Sequence, residues 1–429
     1  MDPTGLRLLL FCILFASVQL CEIPAGNSHR IRSVSTELLK LTEDASEEPN
    51  PSVYLGLRLS DDHSLEKERQ YLERLKDAFQ PSVSTTPSAV SYHEEPGTGR
   101  LALHLLVLRA ACHNMETLEG SQLVTQLKLH LHKEKERIGH EGMGHPITNY
   151  YQYSLGILAL CVHGKKVDEH VIHKLLSAEE RTKLSVDTEA MAGLAFVCLG
   201  KATFYTPELV AKLGQAIQRA KQKILQAQTP EGAFGNIYSS PLAVQFLIAT
   251  GMSQECPEAV ATLLRSLERG DFQNALIKSQ LLPVLQDKSY LDIASTECRD
   301  ERDSLTVGPP SPELELPTGR RESTLVKLIV KRPPRHLPLY LHFLTVPRGS
   351  SLLDVLKTAE KLGGAKPFTF ETQNTLSGPL LTAVMGVKAQ EGERKYWKIL
   401  RAPNTLLEQG IADYIPQDKE SILLKFFPW

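Results

Sequence analysis

The stretch SVDTEAMAGLAFVCLGKATFYTPELVAKLGQAIQRAKQKILQAQ, residues 185–228, sets two helical patterns of opposite kind back to back. In its second half Leu209, Leu213, Ile217 and Ile224 recur along one stripe, while Lys212, Gln215, Arg219, Gln222 and Lys223 fall away from it. That is a helix with one wet face. Thr206-Pro207-Glu208 opens it with a cap and a proline at the first helical position. In the first half Met191, Ala192, Leu194, Ala195, Phe196, Val197 and Cys198 are apolar nearly all round. Such a helix has to be buried on every side.

Working outward, the same alternation runs from residue 29 to residue 287. Wet segments lie near 29–42, 63–79, 119–138, 166–178, 207–228 and 255–269; dry ones near 51–59, 98–113, 147–164, 187–200, 239–251 and 272–287. Six dry helices ringed by six amphipathic ones satisfy the pattern, which predicts an all-α α6/α6 toroid. An elongated solenoid of helical hairpins gives the same alternation and is the rival architecture.

The 429 residues suggest two to three domains. Hydrophobic residues at 42% and charged residues at 23% exclude a disordered, collagenous or multi-span membrane chain. With 48 Lys and Arg against 50 Asp and Glu, the net charge of -2 gives no field to hold a nucleic acid or a membrane surface. Arg7 followed by the apolar run Leu8 to Ala16 reads as a secretory signal over residues 1–20, cleaved near 17–20. The run is too short for insertion across a bilayer. Beyond Cys12 six cysteines remain: Cys21, Cys112, Cys161, Cys198, Cys256 and Cys298. An even number in a secreted chain reads as disulfides, with fifteen pairings open. No CxxC spacing points to zinc or thiol exchange, and no N-glycan sequon exists, because Pro51 follows Asn50.

The barrel is bounded at 21–298. Residues 299–321, with Pro309, Pro310, Pro312 and Pro317, read as a linker. In the remainder, 322–429, strand patterns at 324–330 and 338–346 precede a helix at 351–362 and shorter strands at 367–371, 380–385, 395–400 and 421–427. A small α+β, β-grasp-like C-terminal domain follows.

In a toroid of parallel inner helices the N-termini open on one face with unpaired N–H groups. The residues there are Thr148, Asn149, Tyr150, Tyr151, Gln152, Ser185, Asp187, Asn236, Tyr238, Ser239, Gln273 and Asn274, with Gln280 deeper in. Amides, phenols and hydroxyls predominate. Sugar-cleaving toroids need two carboxylates of separated pKa, and here Asp187 stands nearly alone. A ligand fringed with neutral amides suits this set better, so a binding cavity is the reading, with no catalytic residue and no resident metal. The bland alternatives are that Asp187 merely caps its helix and that Tyr150, Tyr151 and Tyr153 are core aromatics. Gly139-His140-Glu141-Gly142-Met143-Gly144-His145 reads as a solvated loop, since so many glycines cannot fix a metal tetrahedron.

These residues carry a resemblance. YYQYSLGILALC (150–161), SVDTEAMAGLAF (185–196), TPEGAFGNIYSSPLAVQFL (229–247), FQNALIKSQLLPVL (272–285), ETQNTLSGPLLTAVMG (371–386) and QGIADYIPQD (409–418) closely resemble the vertebrate cobalamin carriers, nearest to their transcobalamin branch, over about Cys21 to Trp429. The resemblance implies a secreted, non-enzymatic carrier that clasps cobalamin (vitamin B12) as cargo between the two domains. It further implies delivery to cells through a cell-surface transcobalamin receptor, and a chain acting as a monomer. Ligand contacts are implied at Thr148, Asn149, Tyr150, Tyr151 and Gln152; at Ser185 and Asp187; at Asn236, Ser239 and Gln280; and at Ser377, Gly378, Trp397 and Ile399, with Trp397 as a lid. The bridges implied are Cys21–Cys256, Cys112–Cys298 and Cys161–Cys198, the first of which requires a closed ring.

Two positions depart from the family pattern. Residues 177–184 read SAEERTKL, without the histidine that transcobalamins commonly place there to replace the upper water on cobalt. Arg100 stands where the family often has Gln. The alternatives are a haptocorrin- or intrinsic-factor-like corrinoid carrier and, in another class, an α/α-toroid glycosidase or lyase.

Overall fold

The computed structural model describes residues 27–44, 48–79, 97–139, 144–251, 256–272, 274–299, 301–305, 323–332, 337–362, 367–375, 378–389, 395–407 and 409–428. The signal segment 1–20, Cys21 and most of the linker 299–321 lie outside them. The chain forms two compact units, Met1–Val307 and Gly308–Trp429.

In the first unit the inner helices are α2 (Pro51–Arg58), α4 (Thr98–Ala110), α6 (Tyr150–Val162), α8 (Val186–Lys201), α10 (Ser240–Ala249) and α12 (Ala275–Val284). The outer ones are α1 (Ser28–Leu41), α3 (Leu65–Phe79), α5 (Leu118–Ile138), α7 (Glu169–Arg181), α9 (Pro207–Gln226) and α11 (Cys256–Glu268). Each of the twelve falls on one of the alternating segments. Each inner helix packs on the next, and α12 packs on α2. That last contact closes the ring and excludes the open solenoid.

Side-chain volume decides how near the inner helices come. A methyl group added at Gly193 on α8 would meet the Phe246 ring of α10 at 2.4 Å. Glycine costs a helix about 1 kcal/mol relative to alanine; here the missing side chain makes room for an aromatic ring. The outer helices bury one stripe each. On α9 the stripe is Leu209, Leu213, Ala216, Ala220 and Ile224, with Ile217 only half-buried at its margin. Thr206 Oγ1 accepts from Leu209 N at 3.3 Å, so the cap read from sequence is made.

Arg219 and Lys223 do not face away as the pattern implied. Arg219 Nη2 lies 2.7 Å from Glu179 Oε2 and Lys223 Nζ 2.7 Å from Glu179 Oε1. Glu179 is fully buried, and a buried carboxylate needs such partners. Lysine and arginine stems can cross apolar surface to reach it, which is why an apolar-polar pattern misplaced them.

Two disulfides join residues of this unit, Cys112–Cys298 and Cys161–Cys198. The implied Cys21–Cys256 bridge lies outside the described residues. After α12 a short 3₁₀ helix, Tyr290–Ser295, packs against α4, α6 and α8. Its Ser289 and Asp292 form a reciprocal cap.

The second unit contains β1 (Ser323–Lys331), β2 (Tyr340–Pro347), α13 (Leu352–Lys361), β3 (Phe370–Thr375), β4 (Gly378–Val384), β5 (Val387–Lys388), β6 (Lys395–Arg401), β7 (Thr405–Leu406) and β8 (Ser421–Pro428). The larger sheet has the order β2-β1-β8-β6-β7, with β1 and β8 parallel and the other pairs antiparallel; β3-β4-β5 form a second sheet. Val326, Leu328, Val330, Ile422 and Leu424 point inward against α13 residues Leu352, Val355 and Leu356. The two-residue strands β5 and β7 are too short for an alternation to show in sequence. Gly363 and Gly364, whose pairing after the helix reads as its stop signal, lie outside the described residues.

Candidate functional site

The residues at the inner-helix starts divide by what their side chains already do. Asn149 Oδ1 accepts from Gln152 N at 2.9 Å, and Ser185 Oγ from Thr188 N at 3.4 Å; both cap helices, α6 and α8. Asn236 Oδ1 takes the N–H groups of Tyr238 and Ser239, each at 2.9 Å. Ser239 Oγ donates to Phe234 O at 2.6 Å. These four build the rim before they can touch anything. Helix starts require such acceptors, which explains the density of Asn and Ser there without any ligand. Asp187 is not a cap, since Ser185 takes that role.

A different group converges inside the ring. Gln245, a lone amide on the otherwise apolar α10, donates to Gln280 O at 2.8 Å and accepts from Tyr290 N at 3.1 Å. Gln280 Nε2 in turn reaches Tyr151 Oη at 3.4 Å. Burial pushes the Tyr151 phenol far up, reinforced by Tyr290 and by the Asp187 carboxylate nearby; burial does the same to Tyr290. Both phenols therefore stay protonated. Burial also raises the Asp187 carboxyl. Tyr153, by contrast, is core: its hydroxyl donates to Val171 O of α7 at 2.9 Å.

Tyr150 is mostly buried, donating to Gly144 O at 3.2 Å. Thr148 is held at backbone and hydroxyl by Glu134 of α5. Gln152 Oε1 accepts from Gly99 N at 3.2 Å, which joins α6 to α4. Arg100, the departure from the family pattern, is exposed and lies along the Ala78 carbonyl at 3.0 Å.

A second carboxylate does follow Asp187. Glu189 is buried, and burial lifts its pKa to about 7, against the lowering effect of Lys223. Two residues along a helix is more than half a turn, so Glu189 looks outward to Lys223 and Glu179 while Asp187 lies beside Tyr151. They form no acid–base pair. Among the described residues no cluster of three metal-ligating side chains occurs, and no helix is long and apolar enough to cross a membrane.

In the second unit Gly378 starts β4 at a φ of 98°, a conformation that favours glycine. Trp397, expected as a lid, is packed into the core: it is 5% exposed, its indole N–H donates to Val387 O at 2.9 Å, and its ring tilts on Phe426. Ile399 lies on the same face, half-buried. Ser377 is outside the described residues.

Reading the sequence missed Gln245, Tyr290 and Glu134. An amide in an all-apolar helix is a signal for the first; the other two carried none, one in a 3₁₀ turn and one among outer-helix charges.

Comparison with known proteins gives one consistent answer. A family model for eukaryotic cobalamin-binding proteins matches residues 3–319. Human transcobalamin-2 is 45% identical, covering 100% of both chains. Mouse cobalamin binding intrinsic factor is 26% identical over 95% of this chain and 93% of its own. The crystal structure of haptocorrin in complex with Cbi has a TM-score of 0.76 at 23% identity, covering 96% of this chain and 100% of that one. At that identity the last match speaks for the α6/α6 fold with its C-terminal sheet domain. The chain, whose closed helical ring has amides and phenols meeting inside it, is matched by the family model over residues 3–319 and by human transcobalamin-2 over the full length, and belongs to the eukaryotic cobalamin-binding protein family.

Proposed function

We propose that the chain takes cobalamin onto the face of the helical ring where Tyr151, Gln280 and Asp187 converge, and that the second unit closes over it. Cobalamin binding and transport, without catalysis, is the activity of this family. The observation that carries the site is the Gln280 amide on the Tyr151 phenol, with Gln245 holding the Gln280 carbonyl and the Tyr290 N–H behind them. Uncharged amides and phenols held by one another offer donors and acceptors without a counter-ion. That matches a flat, mostly apolar ligand fringed with amides. Thr148, Asn149, Tyr150, Gln152, Ser185, Asn236 and Ser239 form the rim in this proposal, and Ser377, Gly378 and Ile399 the contact from the other unit. A secreted monomer delivered through a cell-surface receptor completes the reading, with the apolar run Leu8 to Ala16 supporting secretion.

Equilibrium dialysis of labelled cobalamin against the oxidised full-length chain tests it. Saturable binding of one equivalent is expected; absence of uptake would overturn the reading. Closure is tested separately by solution scattering. One equivalent of cobalamin should reduce the radius of gyration, and an unchanged value with bound ligand would remove the clasp while leaving the site.

A further inference from the structure

We propose that Glu134 is a positioning residue that sets the polarity of Thr148, so that the rim of α6 distinguishes an amide from a carboxylate on the ligand. Glu134 sits on the outer helix α5, yet it is 1% exposed and turned inward. Its Oε1 accepts from Thr98 Oγ1 at 2.8 Å and from Thr148 Oγ1 at 2.7 Å; its Oε2 accepts from Thr148 N at 3.1 Å. A hydroxyl owns one proton and two lone pairs. With that proton spent on the carboxylate, the half-exposed Thr148 faces the cavity as an acceptor only.

Four residues on, in the helix that Asn149 caps, the Gln152 amide completes the device. Gln152 Oε1 is occupied by Gly99 N at 3.2 Å, which leaves the NH₂ end to donate. One acceptor and one donor on the same rim suit a primary amide, which offers the reverse. A carboxylate in that place has no proton for Thr148 and lies near the Glu134 charge. A site built to hydrogen-bond one polarity rejects the other because its own groups are left unpaired.

The inference rests on the proposed cobalamin site, and the experiment separates the two. Glu134→Gln is close to isosteric but reverses the wiring. Its carbonyl must take the Thr148 backbone N–H, so its NH₂ meets both hydroxyls, which then accept and turn their protons outward. The probes are cobalamin and the set of its monocarboxylates in which a single side-chain amide is hydrolysed, measured by competition on the full chain.

For one member of the set the wild type is expected to prefer the amide by about tenfold or more, and Glu134→Gln to lose most of that preference while still binding cobalamin. Thr148→Val should lose it for the same member; Thr98→Val, which removes the other hydroxyl, should keep it. Undiminished preference in Glu134→Gln, or in Thr148→Val where the first variant does not fold, would overturn the assignment. So would a wild type that does not discriminate against any member. A wild type that does not bind cobalamin at all overturns instead the proposed function.

Discussion

A side chain at Gly56 would stand 2.9 Å from both the Cα and the carbonyl oxygen of Ser279. These residues lie on α2 and α12, the first and last inner helices, and their approach is the seam at which the ring closes. Ser279 Oγ is turned back on Ala275 O at 2.6 Å, so no side chain intervenes. The contact is backbone against backbone and cannot yield by rotating a side chain.

Gly56→Ala should therefore destabilise the ring by about 1–2 kcal/mol, the overpacking cost outweighing the gain in helix propensity. Gly214→Ala on the exposed face of α9, where nothing lies within 4 Å, should stabilise it by up to about 1 kcal/mol. Denaturant unfolding of the two variants side by side checks the sign of each; equal effects would place the seam elsewhere.

Gln245→Leu removes the partner of two buried backbone groups, Tyr290 N and Gln280 O. A loss of about 2–4 kcal/mol in stability is expected. Cobalamin affinity should fall as well, because the backbone that carries the Gln280 side chain loses a tie to α10. Unfolding curves and dialysis on the same preparation separate the effects; unchanged affinity would show that Gln280 is held without Gln245.

Glu189 holds its proton more tightly folded than unfolded, because burial raises its pKa to about 7. The native state then binds more protons than the unfolded one between about 4.5 and 7, and stability from this group falls as pH rises through that window. Glu189→Gln should raise the melting temperature at pH 7.5 relative to wild type and leave it nearly unchanged at pH 4.5. The gain is on the order of 1 kcal/mol, since Lys223 keeps Glu179 as partner. Thermal melts of both proteins across this range decide the matter; a loss at neutral pH would mean that the Glu189–Lys223 pair outweighs the burial cost.

Lys331, Lys425 and Lys398 stand directly opposite one another across β1, β8 and β6 on the outward face of the larger sheet. Phe427 lies under two of them, 4.5 Å from Lys398 Nζ and 5.2 Å from Lys425 Nζ. Like charges at paired positions repel, and the ring relieves only part of it. Lys425→Thr should stabilise the chain by about 0.5 kcal/mol at low salt and less at high salt. Melting at two ionic strengths checks it, and a salt-independent change would point to packing.

With residues 177–184 lacking histidine, and with His170 exposed and His173 on the outer helix α7, no imidazole of that segment can reach a cobalt in the ring. The bound aquo form should keep the absorption spectrum of free aquocobalamin. A shift to nitrogen coordination would show that another imidazole enters the site.

Much of this architecture was legible because it rests on periodicity. Wet and dry helices differ at nearly every position, and a capping residue such as Thr206 is read by itself. The toroid was expected, but the alternation alone left an open solenoid standing beside it, because α2 and α12 are far apart in sequence and the glycine that lets them meet looks like any other. The candidate site was half legible. The polar residues do stand at the helix starts, yet their composition does not say whether Asn236 faces a ligand or its own turn. Arg219 and Lys223 were misread for a related reason: their partner, Glu179, is on another helix.

Tyr290–Ser295 comes after the last of the twelve helices, and Arg109, near the end of α4, donates to its Ala294 carbonyl. That turn also packs on α6 and α8, and Gln245 of α10 holds its Tyr290 N–H, so one segment outside the twelve ties four inner helices together and loosening it would be felt by all four at once.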